Sequence, residues 1–412
     1  MPVLYGIKST VFIWFLILSA CRNQPKKETT AADTSVVKEE VLVVKPVTIA
    51  ANQTDNYIPL LRGKSVGVIA NQTSVIFNNE SHTHLVDSLL GLNIAVKKVF
   101  APEHGFRGQA DAGEKVQDGI DSKTGIPLIS LYGKNRKPNA TQLKDLDIVI
   151  FDIQDVGVRF YTYIATLQLV MEACASNNIP VMVLDRPNPN GHYVDGPTME
   201  AEYTGFLGMT EIPLVYGMTI GEYATMINEE GWLEDGKKAS LTVIPLANWS
   251  HDTTYHLPIR PSPNLPNDVA INLYPSLGLF EGTNINAGRG TEFQFQRYGA
   301  SFLDSTQYSF VYTPQPNFGS KNPKEKGKNS FGKDLAKIPK MSEVSLVWLL
   351  DAYKNATDKS LVFNTNGFTK HAGTTMLQQQ IEAGLSEEEI KATWLEDLEK
   401  FKKVRAKYLM YE

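Results

Sequence analysis

From about residue 57 onward, short apolar runs alternate with amphipathic stretches. Ser65–Ala70, Val96–Phe100, Asp147–Phe151 and Val181–Leu184 are four to six residues long and rich in Val and Ile, the signature of buried strands. His84–Leu90 lies between the first two, and Tyr161–Ala175 between the last two, each with apolar residues at helical spacing. Asn178 and Pro180 punctuate the chain before the fourth run. Strand, helix, strand at this rhythm predicts an α/β fold, a Rossmann-like parallel sheet covered on both faces over residues 57–196. A second, mixed α/β domain is expected over 197–412. There Thr219–Glu230 reads as a helix and Leu241–Pro245 as a strand. The five prolines of Pro258–Pro275 predict a largely extended loop, and the seven lysines of 313–340 an exposed insertion, solvated rather than a clamp for an acidic polymer. Ser386 and Glu389 form a capping box before an apolar stripe of Ile390, Trp394, Leu398, Phe401 and Tyr408.

The beginning of the chain reads as an address. Lys8 precedes the apolar run Val11–Leu18, too short to span a bilayer but suited to a secretory signal. Leu18-Ser-Ala-Cys21 is similar to a bacterial lipobox, with cleavage before Cys21 and lipid on its sulfur. Residues 1–20 are thus expected to be removed and 21–56 to serve as a tether, Lys/Glu/Thr-rich and without period over 22–48. This predicts an extracytoplasmic protein, lipid-anchored to a bacterial membrane in the periplasm or at the cell surface, where ATP and NAD are scarce.

Composition narrows the chemistry. With 412 residues, 42% of them hydrophobic, the chain builds a packed core, which excludes disorder. A net charge of −5 gives no global attraction to nucleic acid. Two cysteines, Cys21 and Cys174, build neither a disulfide framework nor a cysteine zinc site. The first strand is followed by Asn71-Gln72-Thr73, not a glycine-rich turn, so a dinucleotide is not expected; neither cofactor nor metal is. Gly63-Lys-Ser-Val-Gly67 matches a nucleophile elbow on paper, but Ser65 begins a strand instead of following one. His82 and His84, read as helical, face apart at i, i+2.

In open α/β sheets ligands bind beyond the carboxyl ends of the strands. Those ends carry Asn71 and Gln72; Glu103, His104 and Arg107; Asp152, Gln154, Asp155, Arg159, Tyr161 and Tyr163; and Asp185, Arg186 and Asn188. Carboxylates with amides and aromatic platforms equip a glycan-processing site, where one carboxylic acid protonates the leaving oxygen. Glu103, next to Ala101, Pro102 and Phe106, is the candidate acid, its pKa open to elevation by apolar neighbours. The plainer alternative pairs it with Arg107. Asp152 and Asp155 are candidates for the second carboxylate, with ion pairs to Arg159 and Arg186 as their alternative.

Longer stretches then become specific. Phe100-Ala-Pro-Glu-His-Gly-Phe-Arg-Gly108, Asp111-Ala-Gly-Glu-Lys115, Ser130-Leu-Tyr-Gly-Lys134, Phe151-Asp-Ile-Gln-Asp-Val-Gly157, Leu184-Asp-Arg-Pro-Asn-Pro189, Pro261-Ser-Pro-Asn264, Glu281-Gly-Thr-Asn284 and Gly288-Arg-Gly-Thr291 resemble the exo-β-N-acetylmuramidase family, glycoside hydrolase family 171. The resemblance runs from about residue 57 to the end. It implies release of terminal N-acetylmuramic acid from the non-reducing end of peptidoglycan chains or fragments, at a site in a cleft between two domains. It also implies that Glu103 is catalytic, and it adds Glu281 and Arg289 to the binding candidates. On this reading Glu103 is the general acid and His104 orients it or positions water. Asp152 or Asp155 is base, nucleophile or electrostatic support, with participation by the substrate's acetamido group as a third route. The anionic lactyl group calls for a planar cation, for which Arg159, Arg186 and Arg289 are candidates. Tyr161 and Tyr163 are candidates to stack on sugar faces. The rival readings are a non-catalytic peptidoglycan-binding lipoprotein and a carbohydrate esterase or deacetylase.

Overall fold

The apolar runs do become one sheet. The computed structural model describes residues 45–79, 81–107 and 118–412; the expected signal, Cys21, most of the tether and the 111–115 motif lie outside the described residues. Seven described strands form the main sheet: β1 (Ser65–Ala70), β2 (Ala95–Ala101), β3 (Gly119–Ile120), β4 (Pro127–Ser130), β5 (Ile148–Asp152), β6 (Val181–Leu184) and β7 (Leu241–Ile244). Their spatial order is 7-6-5-1-2-4-3, parallel throughout except for the β3–β4 pair. The chain runs outward from β1 to β2 and β4, then returns to β5 on the other side of β1. This reversal opens a crevice beyond the carboxyl ends of β1 and β5. The sheet takes its edge strand β7 from beyond the expected domain boundary at residue 196.

Alternation within the strands explains why they read as unbroken apolar runs. Val66, Val68, Ile148, Ile150, Met182 and Leu184 enter one core, while Ile69, Val149, Phe151, Val181 and Val183 enter the other. Helices α1 (Thr54–Leu61) and α2 (Leu85–Gly91) cover the first face with Tyr57, Ile58, Leu61, Leu85 and Leu89. Helices α3 (Tyr163–Ser176) and α4 (Ile220–Glu229) cover the second with Ile164, Leu167, Met171, Tyr223 and Ile227. The capping box Thr219/Glu222 starts α4 where the apolar pattern predicts. The second core continues into the later part of the chain through Leu273, Phe280, Tyr298 and Phe368, so the two α/β parts share it. That later part contains a three-stranded antiparallel sheet, with Ser330–Asp334 between Arg297–Ala300 and Phe310–Tyr312.

Several expectations are corrected. The tether does not extend to residue 56: Ile49, Ala50 and Ala51 are buried, and Thr48 bridges Ala247. Pro258–Pro275 is loop over 258–267, and its remainder is helical, because Asn267 caps a helix, α5 (Asp268–Leu277). Pro275 lies inside it and offers no N–H to the Ile271 carbonyl, which instead accepts from Asn190 Nδ2 at 3.1 Å. The lysine-rich 313–340 is not a mere insertion, since it supplies the central strand Ser330–Asp334 with Ser330 fully buried. His82 and His84 stand on a strand, where i and i+2 share a face, not on a helix. The Ser386/Glu389 capping box forms, and Ile390, Trp394, Leu398 and Phe401 are buried, but the helix breaks into Glu387–Ala392 and Leu395–Arg405.

Residues 410–412 close onto the main sheet. The Tyr411 hydroxyl donates to Asp185 at 2.6 Å and accepts from the Leu246 amide at 2.9 Å, while the Met410 amide reaches Glu222 at 2.8 Å.

Candidate active site

The turn after β2 carries the central carboxylate. The Gly105 amide bonds the Pro102 carbonyl at 3.0 Å, with His104 and Gly105 both left-handed at φ 69 and 79. A histidine in that region costs roughly 1–3 kcal/mol, a strain held by the surrounding structure. His104 is buried with Nε2 3.2 Å from the Ser262 hydroxyl. Glu103 is half-buried and accepts from the Thr162 hydroxyl at 3.2 Å. The Tyr132 hydroxyl also bonds Glu103; burial and that carboxylate push the phenol up to about 12. The apolar neighbour expected beside Glu103, Phe106, is spent on the first core and on the edge of His84, 4.6 Å away between ring centroids.

Glu103 and His104 face a cavity of about 290 Å³. Its aromatic lining is an edge-to-face chain: Tyr163 to Tyr161 at 4.8 Å, Tyr274 to Phe160 at 5.2 Å and Tyr274 to Phe295 at 4.7 Å. The Tyr161 hydroxyl is fixed on the Pro261 carbonyl at 2.7 Å. Burial pushes the phenols of Tyr161, Tyr163 and Tyr274 upward, reinforced at Tyr163 and Tyr274 by nearby glutamates and at Tyr161 by the neighbouring phenols, so they are neutral hydrogen-bonding groups. Ser262, Asn264, Glu281, Arg289 and His371 come to the same cavity from the later part of the chain. Glu281 and Arg289 are paired at 2.7 Å. Burial pushes Glu281 upward, but the charges of Arg289, His371 and Lys324 outweigh it and hold the carboxyl below its ordinary value.

The two candidates for a second catalytic carboxylate do not line this cavity. Asp152 is fully buried in a fork with Arg186, Nε–Oδ1 2.6 Å and Nη2–Oδ2 2.9 Å, the ion-pair alternative. Asp155 accepts from the Gly157 amide at 2.7 Å and from the Tyr216 hydroxyl, and burial raises it to about 6. Its charge reaches the cavity phenols from below.

Most of the binding candidates likewise hold the fold together. Arg107 forks onto Asp121 (3.0 and 2.8 Å) and also meets Asp87, drawing Asp121 down to about 2. Arg159 is completely buried, and its four Nη contacts go to the carbonyls of Pro197, Ile212, His371 and Ala372 at 2.7–3.0 Å. Neither Arg159 nor Arg186 faces the cavity, which removes both as lactyl readers. Asn71 accepts from Thr73, Gln154 donates to the Asp155 and Pro187 carbonyls, and Asn188 braces Met218 and Asn190. Asp185 caps the start of α4 through Thr219 and Gly221, and burial raises it to about 6. Gln72 donates to the Pro261 carbonyl at 3.1 Å, supporting the Ser262 loop. Of the sequence candidates, Glu103, His104, Tyr161, Tyr163, Glu281 and Arg289 meet at one cavity.

Tyr132, Thr162, Ser262, Asn264, Tyr274 and His371 were missed. Tyr132 follows β4, a short strand between β2 and β3 whose Pro127 and polar ending hide it from the apolar-run criterion. Tyr274 lies in helix α5, within the stretch whose prolines suggest loop.

Fold and site together define an α/β protein with a pocket of carboxylates, amides and aromatic rings, the equipment of proteins that handle sugars. Residues 66–269 match the family model for the N-terminal part of exo-β-N-acetylmuramidase NamZ, and residues 272–411 match that for its C-terminal part. The chain belongs to this family. It is 40% identical over 375 residues to peptidoglycan β-N-acetylmuramidase NamZ of Bacillus subtilis (strain 168), covering 86% of this chain and 89% of the relative. Crystal structures of two DUF1343 family proteins from Bacteroides fragilis NCTC 9343 are similar, one with TM-score 0.81 and 43% identity, the other with 0.75 and 27%. Each alignment covers 89% of this chain and 99% of the solved one.

Proposed function

We propose that this protein is an exo-acting glycoside hydrolase that releases terminal β-1,4-linked N-acetylmuramic acid from the non-reducing end of peptidoglycan chains or fragments. Its active site is the cleft where the Rossmann-like sheet meets the later part of the chain. Walls drawn from both residues 103–163 and residues 262–371 support that placement. Glu103 is the general acid, giving its proton to the bridging oxygen as the glycosidic bond breaks; the oxygen of a water molecule bonds the anomeric carbon, and the proton it loses restores the acid. Thr162 and Tyr132 fix the direction of its carboxyl, and His104, held by Ser262, positions the turn. The aromatic lining receives the sugar.

The observation that carries this reading is the placement of Glu103: of the four residues named as catalytic from sequence, it is the one carboxylate that lines the cavity. Glu103→Gln is expected to fold normally, with an unchanged melting temperature, and to lose at least ~100-fold in turnover of a chromogenic β-N-acetylmuramide. Turnover near that of the parent would remove Glu103 from the acid role. Release of N-acetylmuramic acid from purified muropeptides separates a hydrolase from both a glycan-binding protein and an esterase.

A further inference from the structure

Glu281, Arg289 and His371 line the main cavity and also an adjoining chamber of about 320 Å³, whose other walls include Asn286, Asn322 and Lys324. Close backbone approaches assemble this shared wall. Gly282 ends the turn Gly278–Gly282 against helix α6 (Thr365–Ala372), where a side chain's Cβ would sit 2.3 Å from the Phe368 Cα. That contact brings Glu281 beside His371. Arg289 stands between Gly288 and Gly290, both left-handed at φ 78 and 80. A Cβ at Gly288 would lie 2.3 Å from the Phe293 carbonyl oxygen.

Arg289 is incompletely used by its own fold. Nη1 holds Glu281 at 2.7 Å, Nη2 reaches the Gly319 carbonyl at only 3.4 Å, and Nε is buried with no acceptor among the described residues. Arg107 and Arg186 turn the same Nε–Nη2 edge onto Asp121 and Asp152 in bidentate forks. In Arg289 this edge meets no carboxylate among the described residues. The surrounding charge also favours an anion. Lys324 donates to the carbonyls of Phe280, Glu281 and Thr283, so the wall sets two cations, Arg289 and Lys324, against Glu281.

We infer that Arg289 is the specificity-determining residue for an acidic sugar: the lactyl carboxylate on O3 enters the adjoining chamber and takes the Nε–Nη2 edge. Glu281 grips the other end of the guanidinium and fixes its plane. This inference rests on the muramidase reading above. It also assigns the chamber a chemical class of ligand, a short carboxylic acid ether carried by a sugar ring.

The test measures binding of N-acetylmuramic acid, its methyl ester and N-acetylglucosamine by calorimetry, beside hydrolysis of the three matching chromogenic glycosides. The parent protein is expected to bind the acid at least ~10-fold more tightly than the ester or N-acetylglucosamine. In Arg289→Gln that ratio is expected to fall toward one, through KM more than kcat, and Arg289→Lys is expected to restore part of it. Equal binding of acid and ester by the parent overturns the inference, as does an undiminished ratio in Arg289→Gln. If the glutamine variant fails to fold, the acid–ester comparison in the parent decides. Cleavage of all three glycosides at equal rates would leave the hydrolase standing and sink the carboxylate reader. Absence of cleavage beside preferential binding of the acid would do the reverse.

Discussion

Charged side chains in this molecule divide into those spent on the fold and those left for a ligand, and the division is made by partners distant in sequence. Arg186 finds Asp152 across 34 residues, and Arg159 finds the Ala372 carbonyl across 213. The type of residue at each strand end was legible in the sequence; its partner was not, because folding supplies it. Asp155 gives this a pH signature. Burial raises it from 3.8 to about 6, so the folded protein keeps a proton that the unfolded chain has lost. Its contribution to stability therefore falls as pH rises from about 4 to about 6 and is flat on either side. Asp155→Asn carries no such proton. Its melting temperature minus that of the parent is expected to rise across this window, by the equivalent of about 2–3 kcal/mol, and then level off. A difference that stays flat from pH 4 to pH 7 would show that burial does not raise this carboxyl.

The end of helix α6 is held by a single side chain from far upstream, Arg159. Arg159 presents its guanidinium to the carbonyls of His371 and Ala372 at the end of α6, where the helix dipole is negative, and to those of Pro197 and Ile212. Lysine, with one ammonium, cannot reach four carbonyls in a plane. Arg159→Lys is expected to lose about 3 kcal/mol or more in urea unfolding while keeping the parent's preference for muramide over glucosaminide. A changed preference with intact stability would return Arg159 to the ligand. Elements with a strong period, such as β1, β5, β6, α3 and α4, were readable because two buried faces leave little choice of residue. Helix α5 was not, since its prolines suggest loop while Asn190, far upstream, satisfies the carbonyl that Pro275 leaves open. The strand Ser330–Asp334 is hidden because it sits among seven lysines with Pro, Gly and Asn, a composition that reads as loop.

At the scale of the molecule, residues 45–412 form one compact unit. Deleting residues 1–44 is expected to leave the melting temperature within about 1 °C of the parent, corresponding to roughly 1 kcal/mol or less, with activity in the soluble fraction. Deleting through residue 52 is expected to lower it by about 4 °C, because Ile49, Ala50 and Ala51 leave the core beneath the sheet, a loss of about 3 kcal/mol. Equal stability of the two truncations would mean that this segment only rests on the surface. The expected anchoring is tested separately: Cys21→Ser should move the protein from the membrane fraction to the soluble one.

The clasp of Tyr411 on Asp185 joins positions 226 residues apart. During synthesis the carboxyl end of β6 therefore waits for almost the whole remaining chain before its buried acid gains its phenolic partner. A nascent chain in which residue 411 has not yet emerged would carry that acid without its phenol. The clasp also advises against fusing a purification handle beside residues 410–412, where the handle would compete with the seam that completes the sheet.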